Sequence, residues 1–266
     1  MAVRMVLNST VRCVTLIGLL LVSSCSFTPS GEIQPDAALV AIGNDQTYDP
    51  FPAIGSDVDT AKAPALVHWQ HYPLPGKRVT TYQYEWMDER HSIQASAKMS
   101  ASMLRHTVHV APTRLGVIRF SWKVPQLIAG ADLAMRETHD SPVRLVLAFE
   151  GDRSRFSVKN SMLSELALAV TGEALPYATL MYVWCNSCKQ GEVLSNPRTD
   201  RIREIALESG PTQLGQWRHY ERDIRADFEK AFGEPPGALV DVGLMSDTDN
   251  TQQNTTAWYG AISLAD

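Results

Sequence analysis

Several features are missing from this chain, and each absence narrows what it can do. No apolar run is long enough to cross a bilayer as a helix. The longest, Val14 to Val22, has about nine residues, against the ~20 that a span needs. The G-x-S-x-G elbow, the P-loop, H-E-x-x-H and G-x-G-x-x-G are all absent, which removes several common enzyme classes. Basic runs are absent too, and the formal net charge is −5, which makes nucleic acid or an anionic surface a poor partner. Nothing repeats at a fixed period, which argues against solenoids and propellers. Cysteine is scarce: the four are Cys13, Cys25, Cys185 and Cys188.

The N-terminus carries the marks of an export signal. Arg4 and Arg12 form a positive region ahead of the Val14–Val22 run. Val22-Ser23-Ser24-Cys25 resembles the lipobox of bacterial lipoproteins, which implies cleavage after residue 24 and acylation (palmitate included) of Cys25. A plain secretory signal and a short uncleaved anchor are the alternatives. Ser26 is not the aspartate that tends to hold such proteins at the inner membrane. The expectation is therefore a cell-envelope protein, lipid-anchored, at the outer membrane and facing the periplasm. With Arg4 and Arg12 removed, the net charge of −5 becomes −7. The domain organisation expected is a signal peptide at 1–24, a lipidated cysteine and tether at 25–64, and a folded domain at 65–266. The tether is rich in Pro, Gly, Asp and Ala. A flexible stretch of that length spans ~35 Å, although Phe51, Ile54 and Val58 could pack on the domain instead.

Beyond Ala65, strand signals dominate. In 116–124, Ile118, Phe120, Trp122 and Val124 alternate with Arg119, Ser121 and Lys123, the period of a strand with one buried face. Similar patterns occupy 66–72, 78–86, 92–98, 103–110, 143–149, 178–184, 201–208 and two runs within 238–264. Helices are expected within 156–171 and near 221–232. About ten strands and one or two short helices, without regular strand–helix alternation, predict a mostly β fold, an antiparallel jelly-roll-like sandwich. Trp122, Trp184 and Trp258 are expected in the core. Trp69, Trp86 and Trp217 are read as packed, with stacking on a ligand as the alternative.

Candidate chemistry gathers in few places. Asp247, Asp249 and Asn250 bring three oxygen-bearing side chains together between two strands. Calcium wants six to eight oxygens, so calcium is a candidate cofactor, against a polar ligand or a turn capped by its own Asx side chains. Arg119, Lys123, Arg144, Asp241 and Tyr259 fall on polar sides of strands. On one shared face they would line a polar, sugar-binding surface. The alternative for Arg144 is a structural pair with Asp140, Asp247 or Asp249, since its planar fork meets a carboxylate bidentately. Asp140, Arg144, Asp247, Asp249 and Asn250 are thus the candidate ligand-binding set. Glu137, His139 and Asp140 suggest an acid/base group, or a loop facing solvent; no residue is assigned as catalytic. Cys185-Asn186-Ser187-Cys188 lacks the histidine of a haem motif, since residue 189 is Lys. A local disulfide is the plain reading in an oxidising compartment. Zinc and redox chemistry stay open beside it.

Short motifs from Ser92 to Leu264 resemble the bacterial domain-of-unknown-function family 3047. They are Phe120-Ser121-Trp122-Lys123-Val124, Asp140 with Arg144 and Phe149, Tyr182-Val183-Trp184, Glu208-Ser209-Gly210 and Leu214-Gly215-Gln216-Trp217. Glu221-Arg222, Asp227-Phe228, Phe232-Gly233-Glu234, Asp247-Thr248-Asp249-Asn250-Thr251 and Trp258-Tyr259-Gly260 complete the set. The family's last motif has an aspartate where this chain has Ala261. The resemblance implies an envelope β-sandwich similar to carbohydrate-binding jelly rolls and implies no reaction. The expected function is a non-catalytic, lipid-anchored module that binds a polysaccharide or another envelope component. The alternatives are a carbohydrate-active hydrolase or lyase on the same fold, using Asp140, His139 or the Asp247/Asp249 pair, and a module that docks an envelope protein.

Overall fold

The structure, a computed structural model, describes residues 69–265. The expected signal peptide, Cys25 and the tether lie outside the described residues. Two sheets face each other. β1 (Gln70–Pro73), β4 (Ala101–Val110), β11 (Leu239–Asp247), β6 (Arg144–Phe149), β7 (Ala178–Cys185), β9 (Ile202–Ser209) and β8 (Val193–Ser195) form one, in that spatial order. β10 (Trp217–Asp223), β5 (Val117–Lys123), β12 (Asn254–Ala265), β3 (Arg90–Lys98) and β2 (Thr81–Met87) form the other. The mostly β sandwich read from the sequence is the observed fold, with twelve strands among the described residues rather than about ten. One ladder departs from the antiparallel expectation: β7 and β9 are parallel. The connection 186–201 that joins them contains β8, and it has the dozen or more residues that a parallel crossover requires.

Alternation decides what lies between the sheets. Ile118, Phe120 and Trp122 of β5 meet Leu145, Leu147 and Phe149 of β6 and Leu180, Tyr182 and Trp184 of β7 in one core cluster. Trp122, Trp184 and Phe149 have no exposed surface. Burial of one such side chain stabilises the fold by about 1.5–3 kcal/mol.

Two helices flank the sheets. α2 (Ile224–Phe232) starts directly after β10, capped by Asp223, whose carboxylate accepts from the Ala226 amide at 2.9 Å. It buries Ile224 and Phe228, the latter edge-on to Phe149 at 4.7 Å. α1 (Val158–Thr171) runs from the Ser157 cap to Gly172, which takes the left-handed conformation. It spans 14 residues, inside the 156–171 stretch read as helical. Its buried residues are Asn160 and Ser164, so its polar side faces the protein.

Candidate functional site

The acidic loop of the sequence folds inward. Arg144, on the outer face of the seven-stranded sheet, has only 1% exposure. Its Nε donates to Asp247 Oδ1 at 2.8 Å and its Nη2 to Asp247 Oδ2 at 3.3 Å. Nη1 lies 3.2 Å from Glu204 Oε1, which also faces His139 Nε2 at 3.0 Å. The lid over this cluster is the segment before β6. Leu133 packs on Val183, Cys185 and Ala206, and Asn186 Nδ2 reaches the Ile128 carbonyl at 2.7 Å. Cys185 and Cys188 are joined by a disulfide beside that contact.

Asp140 ties the loop after β11 to the same lid. Its Oδ1 accepts from the Asn250 amide and Nδ2 at 3.2 and 2.8 Å; its Oδ2 accepts from the Thr251 amide and hydroxyl at 2.6 and 2.7 Å. Asp249 pairs with Lys77. Burial pulls the Arg144 pKa down, but Asp247 and Glu204 more than offset it and keep the guanidinium charged. Burial pushes the Asp247 carboxyl above its ordinary range against the pull of Arg144. Burial also works on Glu204, yet Arg144 and His139 hold it below the usual range.

Asp140, Arg144, Asp247, Asp249 and Asn250 are therefore neighbours, but Asp140 and Asp247 are only 2% and 3% exposed. Oxygens of Asp140, Asp247 and Asp249 come within 4.8 Å of one another. Protein donors already occupy these carboxylates, so the trio does not offer the six to eight oxygens calcium takes. His139 and Asp140 are buried rather than facing solvent as a loop reading expects, because the lid folds over Glu204; Glu137 alone of the three is exposed.

The polar set Arg119, Lys123, Arg144, Asp241 and Tyr259 does not share a face. Arg144 and Asp241 belong to the seven-stranded sheet. Tyr259 is in the core, 1% exposed, with its hydroxyl donating to the Met245 carbonyl at 2.6 Å. Thr255, Ala257 and Tyr259 are the inward set of β12, so Trp258 points outward, contrary to the core position expected for it. Parity along a strand admits no compromise: a shift of one residue moves every side chain to the other face. Trp69 is buried, Trp217 half-buried, and Trp86 exposed at the end of the β2–β3 hairpin.

What the outward set builds was not legible from the sequence. Register aligns Trp217 with Lys123, Lys123 with Trp258, Trp258 with Gln94, and Gln94 with Gln83. These five residues form one row across all five strands of the smaller sheet. Asp88 stands over the row from the β2–β3 turn, where Asp88 and Glu89 both have positive φ (48° and 60°), as a two-residue type I′ hairpin demands. Asp88 Oδ2 accepts from Lys123 Nζ at 2.7 Å and Trp217 Nε1 at 2.9 Å. Those two donors hold its carboxyl below the usual range.

Glu85 Oε2 accepts from Trp258 Nε1 at 2.7 Å and Gln94 Nε2 at 2.8 Å. Arg90 lies over the Trp217 ring at 4.7 Å, with Nη1 3.3 Å from His219 Nε2. Partial burial, then Arg90 and Arg218, lower the His219 pKa, so its ring is neutral near pH 7. Gly260 leaves room for this arrangement: a Cβ there would stand 2.2 Å from Ser121 Oγ and 3.3 Å from the Trp217 ring. Ala261, where the resembled family has aspartate, is exposed at the register shift of β12. The site is a fixed, half-exposed platform of two indoles, amides and charges of both signs, with each indole N–H held by a carboxylate.

Among solved structures, the chain is similar to the xyloglucanase domain of NopAA, a type three effector from Sinorhizobium fredii, in complex with cellobiose. The TM-score is 0.38 at 10% identity, covering 74% of this chain and 92% of that one. It is also similar to the low-affinity xylan-binding module CBM86 from Roseburia intestinalis (TM-score 0.25, 12% identity, 74% and 93% covered). A third is the mannan-recognising carbohydrate-binding module TmCBM27 (TM-score 0.31, 7% identity, 83% and 98% covered). At these scores the likenesses bear on neither ligand nor chemistry. No curated protein matches the chain. Residues 67–263 match the family described as Protein of unknown function (DUF3047), and the chain belongs to that family.

Proposed function

We propose that this protein is a lipid-anchored module of the bacterial envelope whose outer sheet face, built on the Trp217–Lys123–Trp258–Gln94–Gln83 row, binds a polysaccharide without cleaving it. The row itself is the observation that carries the reading. Sugars offer an apolar ring face and a rim of hydroxyls. A half-exposed indole beside an amide, an ammonium, a guanidinium and two carboxylates presents partners for both. Trp258 would stack on a sugar ring, and Gln94, Lys123, Arg90 and Asp88 would meet the hydroxyls. Because Glu85 and Asp88 already fix the two indoles, little side-chain freedom is lost on binding. No catalytic role is assigned: Asp140, His139 and Asp247, the acids and base of the hydrolase alternative, are buried and held by internal partners. Cys25 would hold the module at the membrane, which the outer-membrane, periplasm-facing expectation describes.

Titration of the purified protein with a panel of soluble polysaccharides and with peptidoglycan should give saturable binding to at least one. Trp258→Ala should weaken that binding at least tenfold, about 1.4 kcal/mol, with an unchanged melting temperature. Trp258→Phe, which keeps the packing, should lie between. Absence of saturable binding across the panel, or binding indifferent to Trp258, would sink the proposal.

A further inference from the structure

Helix α1 turns large apolar side chains to solvent, whereas a helix on a globular domain normally buries its apolar stripe against the core. Its contacts with the protein are polar. Asn160 Nδ2 donates to Asp200 at 2.6 Å, and Asn160 Oδ1 accepts from the Thr199 hydroxyl at 2.9 Å. Arg105 Nη2 pairs with Glu173, two residues past the helix, at 2.9 Å. Val158, Met162 and Leu166, four residues apart and so on one side, are 79%, 65% and 60% exposed. Leu168, Val170 and Leu175 extend the apolar surface. A concentration of large exposed apolar side chains on one element marks an interaction surface.

Two observations identify the occupant. Against the acidic net charge of the chain, Arg153, Arg155 and Lys159, all exposed, stand at the N-terminal end of the helix, where Arg155 also pairs with Glu234 and Arg153 donates to the Leu175 carbonyl. Basic residues bordering an apolar helix face match the headgroup layer of an anionic bilayer. Gln70 is in register with Arg105, which ties the sheet to the end of α1, and only 43 residues separate Trp69 from Cys25. We infer that the Val158–Met162–Leu166 face of α1 docks on the surface of the lipid bilayer that holds Cys25. The inference rests on the lipid anchor proposed above. Tethering makes the contact intramolecular, so a weakly binding face is occupied most of the time. It also leaves the platform of the five-stranded sheet free for its ligand.

The test uses the full lipidated chain with Met162→Cys. Cys185 and Cys188 are joined and Cys25 carries lipid, so a cysteine at 162 is the single free thiol of the mature protein. A polarity-sensitive fluorophore there is compared with one at Lys98→Cys, an exposed position at the end of β3, in vesicles of phosphatidylethanolamine and phosphatidylglycerol. Docking gives blue-shifted emission at 162 and several-fold stronger quenching there by lipids brominated in their acyl chains. Equal emission and quenching at both sites, in protein that floats with the vesicles, overturns docking and leaves the anchor standing. Protein that fails to float overturns the anchor, and the docking with it. A blue shift at 162 without bromine quenching means that protein, such as a second copy of this chain, covers the helix, and it also overturns the inference.

Discussion

Arg144 is the most constrained cation among the described residues, and its neighbours set its worth. One guanidinium serves two buried carboxylates, Asp247 and Glu204. Replacing Arg144 by leucine leaves Asp247 without its counter-charge and Glu204 with only the His139 contact, and breaking a buried pair this way costs about 3–5 kcal/mol. Urea denaturation at pH 7 should show that loss. The pH dependence has a definite sign. Without Arg144, burial raises the folded pKa of Asp247 further above the unfolded value near 4, so the folded state binds more protons than the unfolded. Stability of the variant then falls as pH rises through that region, and the deficit against the parent should be larger at pH 7 than at pH 4. A deficit independent of pH would mean that lost packing, not lost charge, is the cause. The Arg144–carboxylate option was visible in the sequence because Asp140 stands four residues before Arg144 and Asp247 and Asp249 fall together in one loop. Glu204 was not, since it stands alone in a strand 60 residues away in sequence and meets Arg144 only when β6, β7 and β9 are laid side by side.

At the scale of the element, β12 and its neighbours decide whether the platform exists. Gly260 lies where Ser121 and Trp217 close over the strand. Gly260→Ala should cost about 1–3 kcal/mol, the usual penalty for overpacking, and should weaken glycan binding by displacing Trp217. Adding Ser121→Gly removes the nearest clashing atom and should restore part of the stability in thermal melts. A double variant no more stable than Gly260→Ala would contradict this packing. The parity of β5 was readable because polar and apolar residues alternate strictly along it. That of β12 was not, because tryptophan and tyrosine stand side by side and both look like core. The β2–β3 turn was equally hidden: Asp88-Glu89 contains none of the glycine that usually signals a type I′ turn. The apolar residues of α1 marked a helix correctly, while their exposure depends on polar contacts from Asn160 that no periodicity discloses.

At the scale of the whole molecule, the proposed anchor separates two surfaces, one for lipid on α1 and one for glycan on the smaller sheet. Cells grown with labelled palmitate should incorporate it into the parent and not into Cys25→Ala, and the unlabelled variant should leave the outer-membrane fraction. Label retained without Cys25 would place any acylation elsewhere and remove the basis of the anchor.

Alternation, turn residues and short motifs are local properties, so the class of fold, the family and most strands could be read from the residues alone. The sequence also determined which chemistries lack their signatures. Exposure, by contrast, follows from how the sheets and the lid come together. Whether Asp140 and Asp247 face a ligand or an arginine, and whether Trp258 packs or presents its ring, depends on strand register and on the lid that covers one sheet. Those are relations between residues far apart in the chain, and no local pattern encodes them.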